Sequence, residues 1–218
     1  MGIFITLARH GETADNAAGI FQGQAGSGLN RLGRAQATRL AERMRRSPPS
    51  AIVASDLERA AETARYVSEA CGVPVELDPG LREVDVGAWT GKSYDEVAAL
   101  YPEEWAAWEA GIDVRRGGGE TYGELAVRVG AAIDRIAARH ASGSGRASGR
   151  ILVVSHGGAI KSWIAKLLGV SPEGLRALAG VANAALTVVE RDLRGRHRLH
   201  SWNDAAHLEG LVVDEHSD

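Results

Sequence analysis

The first apolar run, Ile3-Phe4-Ile5-Thr6-Leu7-Ala8, is uncharged, β-branched and aromatic, the pattern of a strand buried on both faces. It breaks into polar character at Arg9-His10-Gly11-Glu12. Residues 32–46, rich in Ala, Arg, Leu and Glu, predict a helix that Ser47-Pro48-Pro49 stops. Ala51-Ile52-Val53-Ala54 reads as a second strand. The Ser55-Asp56-Leu57-Glu58 sequence after it has the form of a capping box, with Ser55 as N-cap. The helix so opened carries Leu57, Ala60, Ala61, Ala64, Val67 and Cys71 on one face and is closed by Gly72. A third strand is expected over 75–77 and one or two short helices over 93–110. A turn-rich stretch over 113–120 leads to a longer helix with the stripe Leu125, Val129, Ala132, Ile133 and Ile136. Ile151-Leu152-Val153-Val154 is the clearest strand, followed by Ser155-His156-Gly157-Gly158 and a helix through Leu168. Residues 184–190 and 197–202 predict a closing hairpin. Between helix and strand, the Ser/Gly-rich residues 142–149 read as a flexible surface loop. Strands alternating with helices predict one domain over 1–218, a three-layer α/β/α sandwich on a mostly parallel sheet. Residues 85–120 are expected to cover its active edge.

Candidate chemistry sits at the strand ends. In open parallel sheets ligands bind beyond the carboxyl ends of the strands, where the next helices present their N-termini. The first strand delivers Arg9 and His10, the second delivers Arg59 one turn into its helix, and the 151–154 strand delivers His156. Two arginines and two histidines gathered there, beside helix N-termini, suit a doubly charged oxyanion such as phosphate. Each histidine is followed by glycine (Gly11, Gly157), which would let the backbone approach a ligand closely. A neutral imidazole can attack phosphorus if its second nitrogen donates to a carbonyl. The leaving alkoxide then needs a proton, for which Glu83 is the leading candidate, ahead of Asp56, Glu12 and Asp85. Arg9, Arg59 and His156 supply the charge compensation, so neither a metal nor a cofactor is expected.

These residues closely resemble the histidine phosphatase superfamily, also called phosphoglycerate mutase-like. The resemblance rests on Leu7-Ala8-Arg9-His10-Gly11-Glu12-Thr13, Ser55-Asp56-Leu57-Glu58-Arg59-Ala60, Leu81-Arg82-Glu83 with Gly87-Ala88-Trp89-Thr90-Gly91, and Val154-Ser155-His156-Gly157-Gly158. It implies the phosphoglycerate mutase-like fold, with His10 as nucleophile and Glu83 as proton donor. It further implies Arg9, Arg59 and His156 as phosphate ligands, with Asn16 and Gln22 lining the pocket. Where the family carries an Asp before its first helix, this chain has Gly26-Ser27-Gly28-Leu29. The stretch from Asn183-Ala184 to Trp202-Asn203 is similar to bacterial phosphatases acting on glucosylated phosphoglycerate.

The leading expectation is a metal-independent phosphatase of small phosphomonoesters working through a phosphohistidine. The nearest rival is a 2,3-bisphosphoglycerate-dependent phosphoglycerate mutase, which passes the phosphoryl group back to substrate. The mutases carry a longer insertion between the acid and the second histidine, which favours hydrolysis here. Arg115 and Arg116 support the rival, because paired arginines could hold a substrate carboxylate. A catalytically silent module that binds phosphorylated ligands is the third reading. Trp89, Tyr94, Trp105 and Arg115 are candidate walls of a substrate pocket.

Composition narrows the field. Lys+Arg 25 against Asp+Glu 28 gives a net charge of −3, so no basic field attracts nucleic acid or anionic lipid. Acidic neighbours of Tyr94, Tyr101, Trp105 and Trp108 argue against base stacking and favour packing. The single cysteine, Cys71, excludes a disulfide framework and suits a reducing cytoplasm. The apolar start is too short to span a membrane. Its fit to a myristoylation pattern competes with a better reading as a strand. The partner expected is a small phosphorylated metabolite, with a homodimer possible.

Overall fold

The computed structural model describes residues 2–141, 149–171 and 173–213. In chain order the elements are β1 (Ile3–Arg9), α1 (Ala14–Ala17), α2 (Arg31–Arg45), β2 (Ala51–Ala54), α3 (Glu58–Cys71) and β3 (Val75–Leu77). There follow α4 (Tyr94–Leu100), α5 (Pro102–Glu109), α6 (Tyr122–Ala141), β4 (Arg150–Ser155), α7 (Gly157–Leu167), β5 (Leu186–Arg191) and β6 (His197–Asp204). The six strands form one sheet in the order β3-β2-β4-β1-β5-β6. β3, β2, β4 and β1 run parallel, and the closing hairpin β5-β6 is added antiparallel beside β1.

The alternation of side chains along the strands splits the core in two. Ile5, Leu7, Val53, Ile151 and Val153 pack with Leu125, Val129 and Ile133 of α6 and Ile160 and Ile164 of α7. Ala8, Ile52, Ala54, Leu152 and Val154 pack with Leu40 of α2 and Ala60, Ala64 and Val67 of α3. Helices therefore cover both faces, giving the three-layer sandwich expected. The Ser/Gly-rich stretch lies outside the described residues except for Gly149.

Register brings the strand ends together. Arg9 pairs with Ser155 and Ala54 with Val154. The next amides continue these ladders: His10 N donates to Ser155 O and Ser55 N to Val154 O. Thus His10, Ser55 and His156 leave the sheet side by side.

Local structure departs from expectation in two places. Leu57, not Ser55, occupies the N-cap of α3, and its side chain makes no capping bond. The Ser55 hydroxyl is engaged elsewhere, and Asp56 is drawn to Arg82. In the second place, the 26–29 turn without the family's Asp is held instead from α3, where Glu62 accepts the Leu29 N–H at 2.8 Å. Gly72 closes α3 as expected, with a left-handed φ of 69°. Residues 93–110 form two helices, α5 starting on Pro102. Both stand on an aromatic cluster of Phe21, Trp89, Tyr94, Trp105 and Trp108, with closest ring centroids 4.7 Å apart for Phe21 and Tyr94. Trp89 is fully buried in this cluster and so is core, not a pocket wall.

Candidate active site

His10 is buried, and its Nδ1 lies 2.7 Å from the Gly11 carbonyl oxygen. A carbonyl only accepts, so Nδ1 carries the proton and Nε2 keeps its lone pair. The His156 ring stands 5.1 Å from the His10 ring, centroid to centroid. Burial first, then the Arg9 and Arg59 guanidinium groups, push His10 well below the ordinary imidazole value of 6.5. Burial, followed by Arg59 and His10, does the same to His156. Both rings are therefore neutral in the free protein at pH 7.

Ser55 supplies the detail that sequence reasoning missed. Its Oγ accepts the Leu57 N–H and stands 2.8 Å from His156 Nε2. Both groups are buried, and His156 Nε2 is the partner in reach of the hydroxyl proton. We assign the hydroxyl as donor to Nε2, which places the proton of the neutral ring on Nδ1. That Nδ1 is buried with no partner among the described residues. The signal available in the sequence was position: Ser55 is the first residue past a strand that ends beside His156.

The arginines show the same incompleteness. Arg59 holds the 23–25 loop, Nη1 donating to Ala25 O at 2.6 Å and Nη2 to Gly23 O at 2.7 Å. Arg9 Nη1 donates to Val181 O at 2.6 Å. The Nε–H of each arginine is buried and has no partner among the described residues. With His156 Nδ1 they make three buried donors that no acceptor among the described residues satisfies, beside the open Nε2 of His10. Buried donors are rarely left so, and an anion has the acceptors that would complete them.

Glu83 reaches the site from the segment after β3. Its Oε1 accepts from Val84 N and Ala159 N, and its Oε2 from Gly158 N at 3.0 Å. The N-terminus of α7, expected to help cradle phosphate, is thus occupied by this carboxyl. A Cβ on Gly158 would fall 2.5 Å from Glu83 Oε1, so the carboxyl fills the space of the missing side chain. Oε2 has one N–H neighbour among the described residues. Glu83 also acts electrostatically on both Arg9 and Arg59. Arg128 fixes its main chain, donating to the carbonyls of Gly80, Arg82 and Glu83 while paired with Glu120. The other carboxylates are committed elsewhere: Asp56 to Arg82, Glu12 to Asn30, and Asp85 to the Gly87 N–H.

Asn16 and Gln22 border the same space. Asn16 Oδ1 accepts from Thr13 N and Asn183 Nδ2. Gln22 is buried, its Oε1 has no partner among the described residues, and its amide lies against Gly26. Asn183, also missed from sequence, donates to His10 O at 3.1 Å. Gly157 touches the Arg9 guanidinium, a Cβ there meeting Nε at 3.3 Å. Gly11 answers to packing and not to ligand approach, because its Cβ would fall 2.4 Å from the Gly33 carbonyl oxygen of α2. Among the outer candidates, half-exposed Tyr94 acts electrostatically on Arg9. Arg116 is buried, and neither Nη atom has a partner among the described residues. Arg115 turns out to solvent, bound to Glu124 and Gly119 O, and does not join it.

A sequence model of the histidine phosphatase superfamily (branch 1) matches residues 5–205. A metal-independent phosphoserine phosphatase of Arabidopsis thaliana is 35% identical over 95% of this chain and 84% of its own. A probable phosphoglycerate mutase, GpmB, of Yersinia enterocolitica is 34% identical over 97% of each chain. The solved structure of a mycobacterial glucosyl-3-phosphoglycerate phosphatase complexed with VO3 superposes with a TM-score of 0.84 at 32% identity, covering 93% of this chain and 100% of that one. By the match across its length and by its mostly parallel six-stranded fold, the chain belongs to the histidine phosphatase superfamily.

Proposed function

We propose that the protein is a metal-independent phosphatase of small phosphomonoesters that works through phospho-His10. The supporting observation is the trio of buried, unpartnered donors around an imidazole whose free nitrogen is unprotonated. The phosphoryl group would take hydrogen bonds from Arg9 Nε, Arg59 Nε and His156 Nδ1, with Asn16, Gln22 and Gly157 completing its surroundings. His10 Nε2 attacks phosphorus as the ester P–O bond breaks, and Glu83 gives its proton to the departing oxygen. Water then loses a proton to the Glu83 carboxylate and attacks phosphorus. The N–P bond breaks, returning His10 and releasing phosphate. The 85–120 segment, with α4 and α5, would serve as cover, and Tyr94 would stand at its inner edge.

Wild-type protein should hydrolyse p-nitrophenyl phosphate at a rate unchanged by chelators, and His10→Ala should lose this activity. Rapid quenching in alkali should leave a phosphoryl group on His10, detectable by mass spectrometry and lost in acid. A strict requirement for added divalent metal, or a phosphoryl adduct on another residue, would overturn the mechanism.

The mutase reading draws support from the mutase-named relative. Both proteins cover 97% of each other in that match, so a longer insertion does not separate this pair. Incubating 3-phosphoglycerate with 2,3-bisphosphoglycerate distinguishes the two. Hydrolysis releases inorganic phosphate, whereas a mutase gives 2-phosphoglycerate without net release.

A further inference from the structure

The loop that carries His10 is gripped from two helices by side chains that the phosphate chemistry does not use. Two peptide planes meet at Gly11, and each has one oxygen and one N–H to place. In the first, the His10 carbonyl accepts from Ala184 N and from Asn183 Nδ2, and the Gly11 N–H donates to Thr63 Oγ1 at 3.0 Å. In the second, the Glu12 N–H donates to Gln36 Oε1 at 2.9 Å, and the Gly11 carbonyl takes the His10 ring at 2.7 Å. Three of the four ends are thus tied to distant parts of the chain, and the fourth holds the imidazole.

Thr63 lies on α3, one helical turn past Arg59, and is fully buried. Its hydrogen-bonding roles are forced. A backbone N–H can only donate, so Oγ1 accepts from Gly11. A carbonyl can only accept, so the hydroxyl proton goes to Arg59 O, 2.7 Å away. One hydroxyl therefore joins the loop of His10 to the turn that carries Arg59. Gln36 reaches the same loop from α2, where Gly11 and Gly33 already pack backbone against backbone.

These ties end on the reacting atom. Nε2 keeps its lone pair only while Nδ1 gives its proton to the Gly11 carbonyl. If the planes at Gly11 tilt, that carbonyl leaves the ring and the proton is free to move to Nε2, the attacking nitrogen. We infer that Thr63 and Gln36 are positioning residues for the nucleophile. They hold the planes on either side of Gly11 so that its carbonyl keeps His10 protonated on Nδ1 and open on Nε2. Both act through His10, and the inference rests on the phosphatase reading with His10 as its nucleophile.

The test combines single-turnover assays on p-nitrophenyl phosphate with nitrogen NMR of the full chain carrying labelled histidine. Thr63→Val keeps the shape and removes the hydroxyl. It should slow phosphorylation of His10 about 100-fold, the scale for a small misplacement of a reacting group. Gln36→Met should slow it less, because the Glu12 bond is only partly buried and water can replace it. Thr63→Ser, which keeps the hydroxyl, should recover most of the rate. Inhibition by inorganic phosphate should change little in all three, since its donors stay in place. The NMR signals should show the His10 proton on Nδ1 in wild type and Thr63→Ser, and partly on Nε2 in Thr63→Val. A residue with a merely structural role would lower the melting temperature and leave the tautomer alone. A Thr63→Val protein that keeps the wild-type rate overturns the inference while the phosphatase stands. So does one that is slow with its His10 proton still wholly on Nδ1. Should Thr63→Val fail to fold, Gln36→Met gives the same two readouts and decides between the outcomes. A wild type inert toward p-nitrophenyl phosphate and other phosphomonoesters overturns the phosphatase reading and this inference with it.

Discussion

The Ser55 hydroxyl has one proton to give, and His156 Nε2 is the acceptor 2.8 Å away. Without it, His156 can move its own proton to Nε2 and turn a lone pair toward the anion. Ser55→Ala should therefore lower kcat/KM for p-nitrophenyl phosphate about 10- to 100-fold, the usual scale for losing an orienting partner. Acid should partly rescue this variant relative to wild type, because protonated His156 regains an Nδ1–H whatever its tautomer. A purely structural loss would show no such pH signature, and Ser55→Thr, which keeps a hydroxyl, should recover activity. Glu83 admits a different separation. Glu83→Gln should slow an alkyl phosphate about 10²- to 10⁴-fold, the range for general acid–base catalysis. It should slow the first chemical step with p-nitrophenyl phosphate less, since nitrophenolate leaves without a proton. Equal losses in single-turnover assays on the two substrates would remove Glu83 from the proton-donor role. His10 and His156 were legible in the sequence because each follows an apolar strand. Arg115 and Arg116 were not separable there, since adjacent residues give no sign of which faces inward.

At the scale of elements, glycines decide how closely pieces approach. The loop after β1 nests on the first turn of α2, where a Cβ on Gly33 would fall 2.0 Å from the Glu12 carbonyl oxygen. Alanine at a helical site gains up to about 1 kcal/mol in propensity. Forcing backbone apart costs about 1–3 kcal/mol, so the clash wins. Gly33→Ala should lower the melting temperature by about 2–4 °C per kcal/mol lost. It should depress turnover as well, because the displaced loop carries His10; an unchanged melting temperature would show that the loop yields freely. The strands and longer helices were readable from periodicity with stop signals, whereas the short α1 and the start of α3 were not. Ser55 and Glu58 fit a capping pattern, yet the same serine is the buried partner of a histidine 101 residues away. Local rules carry no record of such distant partners. The same limit applied to Trp89, whose burial depends on Phe21, Trp105 and Trp108 arriving from other segments.

For the whole molecule, the α/β/α class followed from alternating strands and helices, but the strand order did not. Order depends on which crossovers close, and the periodicity of a strand is the same at any place in a sheet. The buried imidazoles carry a consequence for stability. The unfolded chain binds protons on these rings near pH 6.5, and the folded chain resists binding them until well below that. Folded stability from this source is complete above pH 6.5 and is lost as pH falls through 6.5 toward the folded values. Two such rings give a slope of up to about 2.7 kcal/mol per pH unit. Urea melts between pH 7.5 and 5 should show falling stability, and replacing both rings by asparagine should flatten most of the trend. No helix among the described residues is long and apolar enough to cross a membrane. Finally, β1 is finished by the far end of the chain. Ala185 O accepts from Arg9 N, Ala184 N donates to the Arg9 and His10 carbonyls, and Val181 O takes the Arg9 guanidinium. During synthesis on the ribosome, the earliest residues of the site must wait for the latest ones before their geometry exists. Nascent chains that end before residues 181–185 would thus be unable to turn over phosphate esters, and proteolytic trimming there would silence the enzyme at a distance from the nucleophile in sequence.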